Sequence, residues 1–349
     1  MKRQVKKEST KLRSALKILL ILATSVLICV TTYGIYLAKK AEFAADGAFE
    51  AIENRETSSK RNEKVKPIED NVSILFIGVD DSEMRGQGAD NSRSDALILA
   101  TMNQETKTVK TLSIPRDSYV YIPQKGKRDK ITHAHAFGGT PAAIDTVENL
   151  LDIPVDYYVR MNFDAFIDVV NALGGIEIEV PYSFVELDEF ENPIIELKKG
   201  HQKLNGSEAL ALARTRKHDN DIERGKRQQE ILKAIAQQAA KPSSILKYDD
   251  VIDAVADNMK TNMKFSEMKS FLSYLSSGMP RIDSLTLEGG DDWSTGIYYY
   301  KLNDQSLEDT KNILQSHLGL SQTVNTEKEL DDDTAINDKS NSESGNSSR

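Results

Sequence analysis

Four short segments concentrate side chains able to bind and activate a phosphate. In Gly78-Val79-Asp80-Asp81 an apolar run ends in two carboxylates. Ser92-Arg93-Ser94-Asp95 sets a cation just ahead of an anion, and Ser113-Ile114-Pro115-Arg116-Asp117 ends another apolar run in a charged pair. The fourth, Leu210-Ala211-Leu212-Ala213-Arg214-Thr215-Arg216, leads through Asp219 and Asp221 to Arg224, Arg227 and Gln228. The last three recur at spacings of three and four, which puts them on one face of a helix. Arginine suits phosphate because its planar fork makes bidentate, charge-assisted hydrogen bonds. Asp80 or Asp81 with Asp95 could hold a hard divalent cation through oxygen, as Mg²⁺ is held when a phosphate completes its shell. Any one of these segments also reads as turn residues facing water, or as arginines paired with Asp219, Asp221 and Glu223. The set is harder to explain that way, because a merely solubilising face would use Lys and Glu.

Positioning such groups requires a rigid scaffold, and the apolar patterning supplies one. Strand-like runs fall at 72–79, 95–102, 109–114, 156–161, 176–180 and 284–287. Helical periodicity falls at 141–151, 163–173, 207–215, 222–240, 251–259 and 266–276. Several of the strands are continuously apolar, as expected where helices cover both sheet faces. The expected fold is therefore α/β: a single α/β/α sandwich domain with a central mixed sheet. In open α/β sheets ligands bind near strand ends, where three of the four charged segments fall. Gly138-Gly139 and Gly174-Gly175 read as helix-start and helix-stop punctuation.

The chain also reads as membrane-attached. Lys2, Arg3, Lys6, Lys7, Lys11, Arg13 and Lys17 precede an uncharged run over 18–38, close to the ~20 residues a helix needs to span the hydrocarbon layer. The run is longer than a signal-peptide core and no A-x-A site precedes its end, so it reads as a retained anchor. The larger basic flank is N-terminal, which leaves that end in the cytoplasm and the rest outside. The organisation expected is a cytoplasmic basic segment (1–17), a transmembrane signal-anchor (18–38), an extracytoplasmic stalk, partly helical (39–70), a catalytic domain (71–322) and a disordered acidic, Ser-rich tail (323–349). The sole cysteine, Cys29, lies within the anchor, so the exported part has no disulfide framework. A net charge of -9 makes the chain a poor ligand for nucleic acid, and none is expected as a partner.

Other motifs carry less. Gly86-Gln87-Gly88 followed by Asn91 is an incomplete dinucleotide fingerprint that does not join a strand to a helix. His133 and His135 lack an evident third metal ligand. No G-x-S-x-G, Walker A or H-E-x-x-H motif occurs.

Taken together, the segments resemble the LytR–CpsA–Psr family of cell-wall enzymes. The resemblance rests on the GVD strand end, R-S-D, S-I-P-R-D, the Lys130-Ile131-Thr132-His133-Ala134 stretch before Gly138-Gly139, V-D-Y-Y-V, and R-x-R…D-x-x-R-x-x-R-Q-Q. It runs from Val72 to the middle of the helix expected at 222–240, and within the family the sequence is most similar to the teichoic-acid transferases. It implies an enzyme, a phosphotransferase that moves a glycopolymer phosphate from a polyprenyl-diphosphate carrier to a sugar hydroxyl of peptidoglycan, assisted by Mg²⁺. By position, Asp80 and Asp95 match the metal-associated residues. Arg93, Arg116, Lys130, Arg214, Arg216, Arg224 and Gln228 match the diphosphate contacts. Asp221, with Arg116 and Arg93, falls in the catalytic role, the carboxylate orienting or deprotonating the acceptor. The alternatives are a membrane-tethered polyprenyl-phosphate-binding regulator and a lipid-diphosphate hydrolase.

An enclosed lipid tail would need an apolar groove. Phe163, Phe166, Ile167, Val170, Ile231 and Ile235 recur at helical spacing; most read as core, but the expected site is an elongated apolar cavity opening beside Arg116, Arg214 and Arg216.

Overall fold

The structure is a computed structural model that describes residues 2–79, 92–186, 195–256, 258–275 and 278–320, with the backbone alone for residues 2–16, Leu272 and Leu275. Asp80, Asp81, the 82–91 stretch and the expected tail at 323–349 lie outside the described residues.

The chain opens with helix α1 (Lys2–Ala48). Strands β1 (Val72–Val79), β2 (Ser94–Asn103) and β3 (Thr108–Ser113) follow, then the hairpin β4 (Tyr119–Ile122) and β5 (Lys127–Lys130). Next come α2 (Thr132–Leu151), β6 (Tyr157–Asn162), α3 (Phe163–Ala172) and β7 (Ile176–Val180). Two short strands, β8 (Phe184–Glu186) and β9 (Ile195–Leu197), lead to β10 (Gly200–Leu204), α4 (Gly206–Arg214) and α5 (Asp221–Ala239). The remainder is α6 (Tyr248–Ala256), β11 (Met259–Thr261), α7 (Phe265–Ser270), β12 (Arg281–Thr286), β13 (Gly289–Asp292), β14 (Tyr299–Leu302) and α8 (Asp304–Leu318).

The central sheet has the order β11-β6-β1-β2-β3-β12. β1 runs parallel to β6 and antiparallel to β2, and β3 runs antiparallel to β2 and parallel to β12, so the sheet is mixed. The continuous apolar run of β1 is explained by its two covered faces. Leu75, Ile77 and Val79 pack with Leu97, Leu99 and Leu112 beneath α2 and α8, through Ile144, Val147, Leu151, Leu314 and Leu318. The alternate residues Val72 and Ile74 join Tyr157, Val159 and Met263 in a separate cluster. A third cluster ties Val170 of α3, Ile176 and Ile178 of β7, Leu212 of α4 and Ile231 of α5. Helices thus cover both faces, giving the expected α/β/α sandwich.

The paired glycines act as punctuation. Gly138 and Gly139 break helical geometry inside α2, Gly139 with φ of 61°, and the apolar helix runs on from there. Gly174 and Gly175, at φ of 77° and 89°, turn the chain out of α3 into β7.

Three expectations need correction. The 39–70 segment does not stand off the domain as a stalk. α1 continues to Ala48, and Ala44, Ala45, Ala48 and Val65 are buried. Arg55 grips Glu148, and Arg61 holds Asp156 at 2.8 Å. Lys and Arg there are anchors, which a composition-based reading mistakes for solvating charge. The helix expected at 251–259 stops at Ala256, and Met259 enters edge strand β11. The helix expected at 266–276 is only Phe265–Ser270 followed by a 3-10 turn, Phe271–Leu275.

Candidate active site

Of the sequence-predicted residues that the structure describes, all but Asp221 line one rim, and Asp221 sits against two of them, Arg216 and Arg224. At the Gly78/Val79 step the β1–β2 register shifts, Gly78 facing Ala96 and Val79 facing Ser94, so Asp95 is the extra residue of a β-bulge. Bulges re-aim a side chain next to functional sites, and here the bulge sets Asp95 against Arg116, Nη1 to Oδ1 at 3.0 Å. The loop after β3 that carries Arg116 is pinned by its backbone. Thr132 N donates to Arg116 O at 3.1 Å, Ser118 Oγ to Pro115 O at 2.6 Å, and Thr132 Oγ1 to Ser94 O at 2.7 Å. Lys130, the last residue of β5, donates to Asp117 at 2.7 Å.

Two helices bring the remaining groups. α4 begins with a capping box from Asn205 and Glu208 and ends at Arg214, whose guanidinium lies 4.9 Å from the Phe163 ring centroid. Asn220 caps α5 by accepting from Ile222 N and Glu223 N, which fixes Asp221 in the first turn and Arg224 one turn on. Arg224 Nη1 reaches Asp221 Oδ1 at 3.2 Å, and Arg216 Nη1 approaches the same oxygen at 3.6 Å. Asp221 and Arg224 are 8% and 7% exposed, whereas Arg216 is 47% exposed and free to meet a ligand. Gln228 donates to Ala213 O at 3.2 Å. Gly225 packs tightly: a Cβ there would lie 2.5 Å from Ser113 Oγ, so α5 approaches the end of β3 closely.

Arg227, part of the same motif, has a different job. It is buried and donates to Leu212 O at 3.1 Å, to Thr215 O and to Asp219, while Tyr182 donates to Asp219 at 2.8 Å. It fixes the loop that presents Arg214 and Arg216.

Behind this rim lies a cavity of about 860 Å³, within the range of about 300–1,000 Å³ usual for ligand sites. Arg93, Asp95, Arg116, Lys130, Arg214, Arg216, Arg224 and Gln228 all line it. Its inner wall is apolar: Phe76, Ile98, Val159 and Met161 from the sheet, Phe163 and Phe166 from α3, and Ile231 and Ile235 from α5. This is the cavity expected beside Arg116, Arg214 and Arg216. Ile167 and Val170 do not line it and are buried instead. Sequence reasoning missed Tyr298, which joins the rim from far along the chain beside Lys130, and no local signal marks it.

The rim carboxylates are unequal. Burial raises Asp221, the nearby Asp117 carboxyl adds to that, and Arg224 only partly offsets it. Burial also opposes ionisation of Asp117, but Lys130 and Arg116 outweigh it and hold Asp117 below the ordinary carboxylate range. Asp117 therefore carries the charge first, and Asp221 keeps affinity for a proton. Asp221 Oδ2 is buried with no hydrogen-bond donor against it.

For a cation, the described residues offer Asp95 alone of the two expected carboxylates. Among them no three His, Cys, Asp or Glu side chains cluster as a complete metal cage. A single carboxylate at a rim fits Mg²⁺, which takes one or two protein carboxylates and completes its shell with phosphate and water. The histidines do not contribute such a site: His133 Nδ1 meets Asp129 at 3.1 Å and His135 Nδ1 meets Ser92 O at 2.8 Å.

Comparison with known proteins agrees with this geometry. The chain is 40% identical over 319 residues to the polyisoprenyl-teichoic acid–peptidoglycan teichoic acid transferase TagT of Bacillus subtilis, covering 91% of this chain and 98% of TagT. A structure of TagT bound to LIIa-WTA superposes with a TM-score of 0.66 at 39% identity, covering 77% of this chain and 99% of that one. A TagT structure with bound octaprenyl pyrophosphate lipid gives a TM-score of 0.62 at 37% identity, over 77% and 99% of the two chains. The LytR_cpsA_psr family model matches residues 41–316, through the juxtamembrane segment, the bulge, the basic rim and both helices that carry it. The chain is a member of the LytR–CpsA–Psr family.

Proposed function

We propose that this protein transfers a glycopolymer phosphate, of the teichoic-acid kind, from a polyprenyl-diphosphate carrier to a sugar hydroxyl of peptidoglycan. The observation that carries this reading is the joining of an apolar cavity to a rim of guanidinium groups. That combination matches an amphipathic ligand with a long apolar tail and a diphosphate head. The relatives named as teichoic acid transferases, and the one holding octaprenyl pyrophosphate, support the same substrate class.

Arg93, Arg116, Lys130, Arg214, Arg216, Arg224 and Gln228 hold the diphosphate, and the tail occupies the cavity. The acceptor hydroxyl oxygen bonds to the phosphorus next to the glycopolymer, and that phosphorus releases its bridging oxygen. The bridging oxygen leaves with its electron pair as polyprenyl phosphate, and the rim arginines, Arg116 and Arg93 foremost, stabilise its charge. The hydroxyl proton passes to Asp221, whose raised proton affinity suits a base. Asp95, with Asp80 as assigned from sequence, would hold Mg²⁺, which would supply further neutralisation of the phosphate oxygens. α1 anchors the domain in the cell membrane, its N-terminus cytoplasmic and the catalytic domain outside.

The test is reconstitution of the full-length protein with lipid-linked polymer, peptidoglycan oligomers and Mg²⁺. Mass analysis should find an oligomer–polymer phosphodiester whose formation requires the oligomer. Donor that persists unchanged beside bound protein would leave a regulator and overturn the transferase.

A further inference from the structure

A turn far from the rim carries an apolar surface that the transfer reaction does not use. Between α5 and α6 the chain makes a 3-10 turn, Pro242–Lys247, in which Leu246 is 78% exposed and Ile245 is 48% exposed. The turn is held in place. Ser244 is fully buried and donates to Gln238 O at 2.7 Å, Lys247 Nζ donates to Leu173 O at 2.9 Å, and Tyr248 Oη donates to Ala239 O at 2.9 Å. Two large aliphatic side chains are therefore presented to the outside by a fixed backbone.

The depth of this turn can be read against α1, because α6 runs alongside it. Tyr36 and Lys40 of α1 meet Asp249 in the first turn of α6, Lys40 Nζ reaching its Oδ1 at 2.7 Å. Lys40 also reaches Asp253, one turn further along α6, at 2.8 Å. Further along α1, Gly47 O accepts from Lys260 Nζ at 3.1 Å, and Phe49 bridges Thr261. Going from Tyr36 to Phe49, the partners climb from 249 to 261, so the start of α6 is the end nearer the apolar span. The turn Pro242–Lys247 leads directly into α6 at that end. Tyr33 and Tyr36 close the uncharged run 18–38, where aromatic side chains mark the membrane–water interface. Lys40 pairs with both Asp249 and Asp253, which offsets part of the acidic charge of α6 between the two contacts.

We propose that the Pro242–Lys247 turn is a second membrane contact, with Ile245 and Leu246 seated in the interface of the bilayer that α1 crosses. The proposal rests on α1 being a membrane span. Two contacts, one spanning and one interfacial, fix the tilt of the domain as a single helix cannot. They also orient the site. α5 carries the rim residues Arg224 and Gln228, then the cavity residues Ile231, Leu232 and Ile235, and ends beside this turn. The apolar end of the cavity is thereby directed to the lipid and the basic rim away from it.

The chain has one tryptophan, Trp293, exposed on the segment after β13. Full-length protein is placed in phosphatidylglycerol/phosphatidylethanolamine vesicles containing lipids brominated near the headgroup end of the acyl chain. Wild-type Trp293 should keep its emission. Leu246→Trp in a Trp293→Phe background should lose most of its emission to the brominated lipid and shift to the blue relative to detergent-free buffer controls of denatured protein. Leu27→Trp in the same background reports the span, with bromines placed deeper. Quenching at position 27 with none at 246 overturns the second contact and leaves the anchor standing. No quenching at either position overturns both. Ile245→Glu with Leu246→Glu is the converse test: added to the Leu27→Trp, Trp293→Phe chain, it should leave the position-27 quenching intact. In Thr295→Trp, Trp293→Phe protein, the same pair should broaden the distance between that residue and an acceptor-labelled lipid surface. An unchanged distance would contradict a role in tilt.

Discussion

Replacing Asp221 with Asn separates the two jobs this carboxylate could have, proton acceptor and partner of Arg224. The amide keeps the shape and an oxygen toward Arg224 Nη1, now 3.2 Å away, but it cannot take a proton. A general base supplies about 10²–10⁴ in rate, so kcat should fall by that factor, equivalent to about 2.7–5.4 kcal/mol on the barrier. Stability should behave differently. Because burial raises the Asp221 pKa, its favourable contribution is complete below the ordinary carboxylate value and is lost as pH rises through the raised value. At neutral pH its ionised form is a cost that Asn removes, while Arg224 loses an ionic partner. The two oppose each other, and the melting temperature should move little. The assay is turnover of lipid-linked donor against peptidoglycan oligomer across pH, with thermal melting of the same samples. Wild-type kcat should decline as pH falls through the raised Asp221 pKa, and Asp221→Asn should lack that acidic limb. A variant with normal kcat and a raised KM would show that Asp221 only positions the rim, and the base assignment would be wrong.

Other outcomes follow from the same structure. Asp95→Ala should abolish Mg²⁺-dependent turnover while costing under about 1 kcal/mol in melting experiments, because the Arg116 pair is partly solvated; near-normal activity would remove the metal assignment. Arg227→Ala leaves the half-buried Asp219 without its cation and frees two carbonyls, so denaturant unfolding should show a loss of about 2–4 kcal/mol. His317 is held between Thr101 and Thr108, and burial lowers its pKa from 6.5 to about 4. The unfolded chain binds the extra proton in that window, so stability should fall by up to about 2 kcal/mol from pH 6.5 to 4 after allowing for solvent screening, and His317→Gln should flatten that slope. Protease added to intact protoplasts should remove the domain beyond Lys40, and protection of that domain would reverse the proposed topology.

How far the sequence spoke for itself depended on whether local pattern and tertiary role coincided. β1 was legible to the residue because its burial on both faces makes it continuously apolar, and β7 because its burial alternates strictly. The rim was legible as a set because arginines at strand and helix ends are costly without a ligand or a partner. The bulge that aims Asp95 was not, since it arises from the pairing of β1 with β2 and leaves no mark in either strand alone. The β4–β5 hairpin is not among the expected strands, because Lys127-Arg128-Asp129-Lys130 has no apolar face and takes its order from Tyr119–Ile122 opposite. α8 is not among the expected helices, although Asn303 caps its start and Gly319 closes it in the left-handed conformation. Arg227 could not be told from Arg224 by spacing, because one helix face meets both the cavity and the loop behind it.

The central claim is that the polymer phosphate passes to a sugar oxygen and not to water. Full-length protein, lipid-linked donor, peptidoglycan oligomer and Mg²⁺ can be combined in heavy-oxygen water and the products weighed. The account predicts an oligomer–polymer conjugate whose bridging phosphate carries no heavy oxygen, released together with unlabelled polyprenyl phosphate. A polymer monophosphate bearing one heavy oxygen, formed at the same rate with or without the oligomer, would contradict it and make the protein a hydrolase.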